Sequence, residues 1–148
     1  MYRLIKSTGT ILWLFALLLG SCQPDPGTSA NERAAREMFA AFNAHDWQKM
    51  SSYYSEQAQF LDPSLGKDLV VQTREQVIEK YSGLQSLFPD IKDELIGVYP
   101  CGDHVIIEFT STGSSGDSIR LQLPIVSVLT FSGGLITKDA TYYDLENP

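Results

Sequence analysis

The sequence predicts an α+β domain in which three helices, all before residue 90, pack on one face of a curved antiparallel sheet. Three observations predict it. Apolar residues recur at helical spacing from Ser29 to Asn43 and from Thr73 to Phe88. Four stretches after residue 90 are dense in branched and aromatic side chains. Short glycine-bearing turns separate those stretches, and a short turn can only join antiparallel neighbours.

The first helix is opened by Ser29 with Glu32 three residues on, the spacing of a capping box, and carries Ala35, Met38, Phe39 and Phe42 as its core stripe. It ends near Asn43-Ala44. Asp46 caps a second, short helix that reaches Tyr54 and sets Trp47, Met50 and Tyr54 on one side, with His45-Asp46 as the turn between the two. Ala58 to Asp62 alternates as a strand and stops at Pro63, and Ser64 to Asp68 is a loop. Thr73 with Gln76 repeats the capping box, opening a helix whose face is Val77, Ile78, Tyr81, Leu84, Leu87 and Phe88 and which Pro89 ends. Strands then run from Ile91 to Tyr99, His104 to Thr112, Ile119 to Phe131 and Leu135 to Tyr143.

The start of the chain is built differently. Arg3 and Lys6 precede an apolar stretch from Ile11 to Leu19, too short for a membrane span of about 20 residues and the right length for a secretory leader. Leu19-Gly20-Ser21-Cys22 follows and resembles a bacterial lipoprotein signal. On that resemblance residues 1–21 are removed, Cys22 becomes a lipidated (palmitate-bearing) N-terminus, and residues 22–29, rich in Pro, Gly, Ser and Thr, tether a domain over residues 30–146. The expected location is the cell envelope, lipid-anchored, with Gln23 after the cysteine pointing to the outer membrane facing the periplasm. Two or more acyl chains give stable anchoring without help from surface charge.

Charge and cysteines narrow the function classes. Loss of Arg3 and Lys6 takes the net charge from −7 to −9, which argues against a nucleic-acid partner and offers no attraction to anionic lipid. With Cys22 alkylated, Cys101 has no partner and no disulfide framework exists; Cys101 reads as a turn residue. His45 and His104 lack ligand spacing, so no metal and no cofactor are expected.

Phe39-Ala40-Ala41-Phe42-Asn43-Ala44-His45-Asp46, Phe60-Leu61-Asp62-Pro63, Val77 to Tyr81, Phe88-Pro89-Asp90, Gly102-Asp103-His104-Val105, Phe131 to Ile136 and Tyr142-Tyr143-Asp144 recur in that order through most of the chain. In order and spacing they resemble the nuclear transport factor 2-like superfamily, a cone-shaped α+β fold, and within it the ketosteroid isomerase and SnoaL-like branch. The fold hosts enzymes, binding domains and assembly modules alike.

The resemblance implies a role for Asp62. In ketosteroid isomerases an aspartate before a proline moves a proton next to a carbonyl, and Asp62-Pro63 matches it. A carboxylate at an apolar mouth has its pKa raised toward neutrality, and Phe42 and Phe60, with Met38 and Tyr142, are the expected pocket walls. The chain departs from the isomerase pattern at both oxyanion donors. The helix tyrosine falls at Met38 and the strand aspartate at Val126 or Ser127. Tyr54 and Tyr81 fall where some members keep supporting tyrosines. SnoaL-like cyclases place an aspartate late in the domain, for which Asp144 is the nearest candidate and Asp139, on the opposite face of its strand, another; their histidine has no match between Ser118 and Phe131. Glu94, sharing a face with Ile96 and Val98, and Glu108, sharing one with Ile106, are further strand carboxylates.

The expectation is therefore a membrane-anchored domain that binds a small apolar carbonyl-bearing molecule and shifts a proton on it through Asp62. The alternative is a non-catalytic ligand-binding or assembly domain displayed on the membrane. A homodimer through the exposed sheet face is the further partner the resemblance implies.

Overall fold

The computed structural model describes residues 26–116 and 119–144, with no account of the side chains of residues 26–29. The predicted leader and Cys22 lie outside the described residues. Among the described residues no helix is long and apolar enough to cross a membrane.

Helix α1 spans Pro26–Asn43 and buries Ala35, Met38, Phe39 and Phe42, the stripe read from the sequence. It begins at Pro26, not at Ser29, so residues 26–29 belong to the helix and not to a tether; proline suits a first helical turn, whose N–H groups have no partner. His45 turns the chain at a positive φ of 55°, and the Asp46 carboxylate accepts from Lys49 N at 3.0 Å to cap α2, Trp47–Ser52. Nε2–H of His45 donates to the Ile91 carbonyl and Nδ1 accepts from Gln85, each at 2.8 Å, while Trp47 donates to the Gln85 oxygen at 2.9 Å.

Strand β1, Tyr54–Leu61, starts earlier than expected. Tyr54 is its first residue and not the end of α2, because Arg74 donates two hydrogen bonds to the Tyr54 carbonyl and fixes it extended. A 3₁₀ turn, Pro63–Leu65, leads to β2, Val70–Thr73, a short strand absent from the sequence reading. Thr73 then caps α3, Arg74–Leu87, with the reciprocal Thr73–Gln76 box in place.

Strands β3 (Lys92–Cys101), β4 (His104–Ser115), β5 (Ile119–Ser132) and β6 (Leu135–Tyr142) follow as an antiparallel meander. Gly133 and Gly134, both at positive φ, close the tight turn before β6. The sheet has six strands in the order β2-β1-β6-β5-β4-β3. It is mixed, not wholly antiparallel: β1 runs parallel to β6. Bulges bend the meander at Ile96 in β3 and at Thr137 in β6, where one strand advances an extra residue past its partner, and the register of β1 on β6 also shifts between Tyr54 and Gln59.

The three helices cover the concave face. Phe39 meets Phe109 edge-on at 4.8 Å, and Phe42 sits between Trp47 and Tyr81 at 5.3 and 5.5 Å. Asn43, at the end of α1, grips the main chain of Asp93: its amide donates to the Asp93 carbonyl and its oxygen accepts from Asp93 N, both at 2.8 Å. Asn43→Ala is expected to cost about 1 kcal/mol, read from the midpoint of urea unfolding, since two backbone groups lose their partners.

Candidate active site

The helices and the concave face leave a cavity of about 660 Å³ between them. Its walls are mostly apolar, with Met38, Phe42, Phe88, Phe109 and Leu129 among them, and its polar side chains fall into three groups.

The first group surrounds Asp62, which caps the 3₁₀ turn after β1. Oδ1 accepts from Ser64 N at 2.8 Å, Ser64 Oγ at 2.7 Å and the Tyr143 hydroxyl at 2.7 Å, and Oδ2 is paired with the Lys80 ammonium. Burial raises the pKa of this carboxyl, but the Lys80 charge and the hydrogen bonds outweigh it and hold Asp62 below its ordinary value. The upward shift expected from sequence is reversed, because the mouth supplies four donors. Tyr143 is pushed up to about 12, first by burial and then by its bond to Asp62.

The second group lies deeper. Tyr54 donates to Asp139 Oδ2 at 2.8 Å and Thr141 to Asp139 Oδ1 at 2.9 Å, with Ser127 and Thr141 hydroxyls joined at 2.8 Å. Burial raises Asp139, against the pull of Tyr54, Thr141 and Lys80. Burial, reinforced by Asp139, drives Tyr54 well above its usual range. Tyr81, from α3, faces the same cavity; burial raises its hydroxyl and the charges of Asp139, Asp62 and Asp93 add to this. No described residue hydrogen-bonds that hydroxyl. The Lys80 ammonium stands 5.1 Å from the Tyr81 ring centre.

The third group is Asp93 on β3 with Ser111, its cross-strand partner on β4. Burial raises Asp93 to about 7, and the Ser111 hydroxyl bond lowers it only in part.

Of the residues singled out from sequence, Asp62, Tyr54, Tyr81, Met38 and Phe42 line this one cavity. Phe60 does not line it; it is buried behind Tyr54, ring centres 5.3 Å apart. Tyr142 is 54% exposed on the other side of β6 and gives its expected place to Tyr143. Asp144 is exposed and outside the cavity, where Asp139 stands instead. Glu94 is exposed and Glu108, bound by Tyr99 at 3.1 Å, also lies outside; Asp93 is the strand carboxylate that turns in. Lys80, Asp93 and Tyr143 were missed. The signal for Lys80 was its place one turn after Gln76 on the helix that carries Tyr81, opposite Asp62. Among the described residues no three His, Cys, Asp or Glu side chains gather as a metal site.

A family model described as a SnoaL-like domain matches residues 35–138, a span that includes Tyr54, Asp62, Lys80, Tyr81 and Asp93 and stops just before Asp139. The chain belongs to the SnoaL-like domain family. No curated protein sequence matches this SnoaL-like domain. Its fold is shared with a hypothetical protein of ketosteroid isomerase-like fold from Catenulispora acidiphila, in complex with trimethylamine, at 23% identity, TM-score 0.67, 76% of this chain and 85% of that one. Bal32a, from a soil-derived mobile gene cassette, is 21% identical with TM-score 0.70, over 79% and 91% of the two chains. An LEH-like epoxide hydrolase from M. tuberculosis is 17% identical with TM-score 0.69, over 82% and 88%. In this SnoaL-like domain the two positions of the isomerase donors stay without a free donor: Met38 has none, Val126 lies opposite exposed Tyr142, and the Ser127 hydroxyl is engaged with Thr141.

Proposed function

We propose that this SnoaL-like domain binds a small, largely apolar molecule with a carbonyl oxygen and moves a proton on it. One observation carries the reading: the unengaged hydroxyl of Tyr81 and the buried, upshifted carboxyl of Asp139 face one apolar cavity. Tyr81 donates to the carbonyl oxygen, with the Lys80 charge nearby. Asp139 takes a proton from the adjacent carbon, the electron pair moves to the oxygen, and the same carboxyl returns the proton. Asp62 becomes a positioning residue that holds Lys80 and Tyr143, in place of the base expected from sequence. The neighbour's complex with trimethylamine supports small-molecule binding in this fold and nothing finer.

The test is a thermal-shift screen with apolar ketones, lactones and steroids, followed by deuterium exchange into any ligand found. Asp139→Asn is expected to slow exchange about a hundredfold or more with binding retained, and Tyr81→Phe about a hundredfold. Exchange that survives in Asp139→Asn and disappears in Asp62→Asn returns the base to Asp62.

The same reading includes a lipid anchor at Cys22 on the outer membrane, supported by the leader pattern alone. Cys22→Ala is expected to move the domain to the soluble fraction. It also includes pairing of two copies through the outer sheet face, which carries Ile96 and Tyr142, both more than half exposed. Sedimentation of Tyr142→Glu against the parent chain checks it.

A further inference from the structure

Asp93 is a carboxyl that the proton-transfer scheme leaves unused. It is 7% exposed, and its main chain is gripped from α1 by Asn43. The side chain is thereby fixed on the concave face, on the wall of the cavity. Its surroundings follow from the register. Ser111 lies across from it on β4, Phe109 is two residues before Ser111 on the same face, and Leu123 stands opposite Ser111 on β5. Ser111 lowers the value of this carboxyl only in part, and Oδ1 has no partner among the described residues. A buried carboxyl oxygen without a donor is a recurrent cost in a folded protein unless something else supplies the donor.

Apart from the Tyr81 hydroxyl, which the proton-transfer scheme assigns to the ligand's carbonyl, no described side chain of the cavity has a donor left to supply it. Lys80 is the one basic side chain on the walls and is committed to Asp62. Asp139 is occupied by Tyr54 and Thr141. The titratable groups sharing the cavity are Tyr54, Asp62, Lys80, Tyr81, Asp139 and Tyr143, so its carboxyls outnumber its ammonium by two. The walls add the ring faces of Phe42, Phe88 and Phe109, whose quadrupoles attract cations.

We propose that Asp93 anchors a protonated amine of the ligand, so that the molecule the cavity takes is an apolar organic ammonium. This rests on the ligand-binding reading above and names its substrate class. A neutral alcohol would satisfy the hydrogen bond but leave the carboxyl excess unchanged; an ammonium satisfies the first and reduces the second. On binding, the amine keeps its proton and Asp93 releases its own to solvent. Affinity for the amine therefore rises with pH up to the value where Asp93 is already ionised in the free protein, about 7.

The experiment is calorimetric titration of the full chain with N,N-dimethylcyclohexylamine and with cyclohexyl methyl ketone, a neutral probe of similar shape. At pH 8 the amine is expected to bind at least tenfold more tightly than the ketone. Its affinity is expected to rise between pH 6 and 8, and Asp93→Asn to weaken the amine at least tenfold while leaving the ketone within twofold. An amine no tighter than the ketone, or an Asp93→Asn change that affects both alike, overturns the proposal and leaves the cavity reading standing. Failure of both probes, and of the wider screen, overturns the two together. Should Asp93→Asn fail to fold, the carboxyl carbon of Asp93 followed by NMR at pH 6 decides. A shift to the ionised value on adding amine supports the anchor, and no shift with amine bound overturns it.

Discussion

Lys80→Met is expected to lower the stability of the domain by about 3 kcal/mol at pH 7, because it strands a carboxylate that the fold keeps charged. The side chains of Asp62 and Lys80 are only 9% and 20% exposed, so water replaces little of what the ammonium provides. Ser64 and Tyr143 still donate to Asp62, which keeps the loss toward the low end for a broken buried pair. The pH dependence has a definite sign. Asp62 is held below its ordinary value of 3.8, so its contribution is present above that pH and lost as pH falls through the lower, folded-state value. The difference between Lys80→Met and the parent chain should therefore shrink on acidification below about pH 4. Adding Asp62→Asn to Lys80→Met is expected to restore most of the loss, since no charge is then buried alone. Urea unfolding of the three chains at pH 7 and pH 3.5 measures this, and a Lys80→Met variant as stable as its parent at pH 7 would refute the ion pair as a structural element.

Asp93→Asn is expected to act in the opposite direction. Its folded-state value is about 7 against an ordinary 3.8, so the folded chain holds this proton more tightly than the unfolded one. The burial penalty is absent below about pH 4, grows as pH rises toward 7 and is complete above it; at one pKa unit per 1.4 kcal/mol it is of order 4 kcal/mol. Asparagine carries no charge at any pH and leaves the Asn43 grip intact, since that grip is on the main chain. The variant should match its parent at pH 4 and exceed it by up to about 4 kcal/mol at pH 8. Denaturant midpoints at the two pH values test it, and a variant less stable than its parent at pH 8 would show that the carboxylate is satisfied in the folded chain.

The helices and the four-strand meander were legible because their signals are local: the Thr73–Gln76 capping box, an apolar stripe, and glycine turns between branched runs. The mixed topology was not. Turn length decides the direction of consecutive strands, but β1 pairs with β6, about 80 residues away in sequence, and nothing local states that direction. The four-residue β2 offers too short a pattern to alternate visibly.

The site was half legible, and one cause explains two of its misses. Alternation counted along β6 from buried Ile136 puts Tyr142 inside. The bulge at Thr137 shifts the phase by one, so Asp139, Thr141 and Tyr143 turn in. Alternation counted along β3 from Val98 groups Ile96 and Glu94 on the inner face. The bulge at Ile96 shifts the phase, and Asp93 turns in. Asp62, Tyr54 and Tyr81 escaped this error because none lies beyond a bulge in a strand of the meander.

The β1–β6 pairing also sets an order of assembly. A chain delivered from its N-terminus presents the three helices and β1 first, but β1 finds its parallel partner only once residues 135–142 have arrived. The antiparallel hairpins can form as they emerge, whereas this contact closes a loop of most of the domain and is correspondingly slow. Asp62, at the end of β1, meets Tyr143, just past β6, in the same event. A chain cut short before β6 would thus display β1 as an unpaired edge and a floorless cavity, the form most exposed to aggregation and proteolysis.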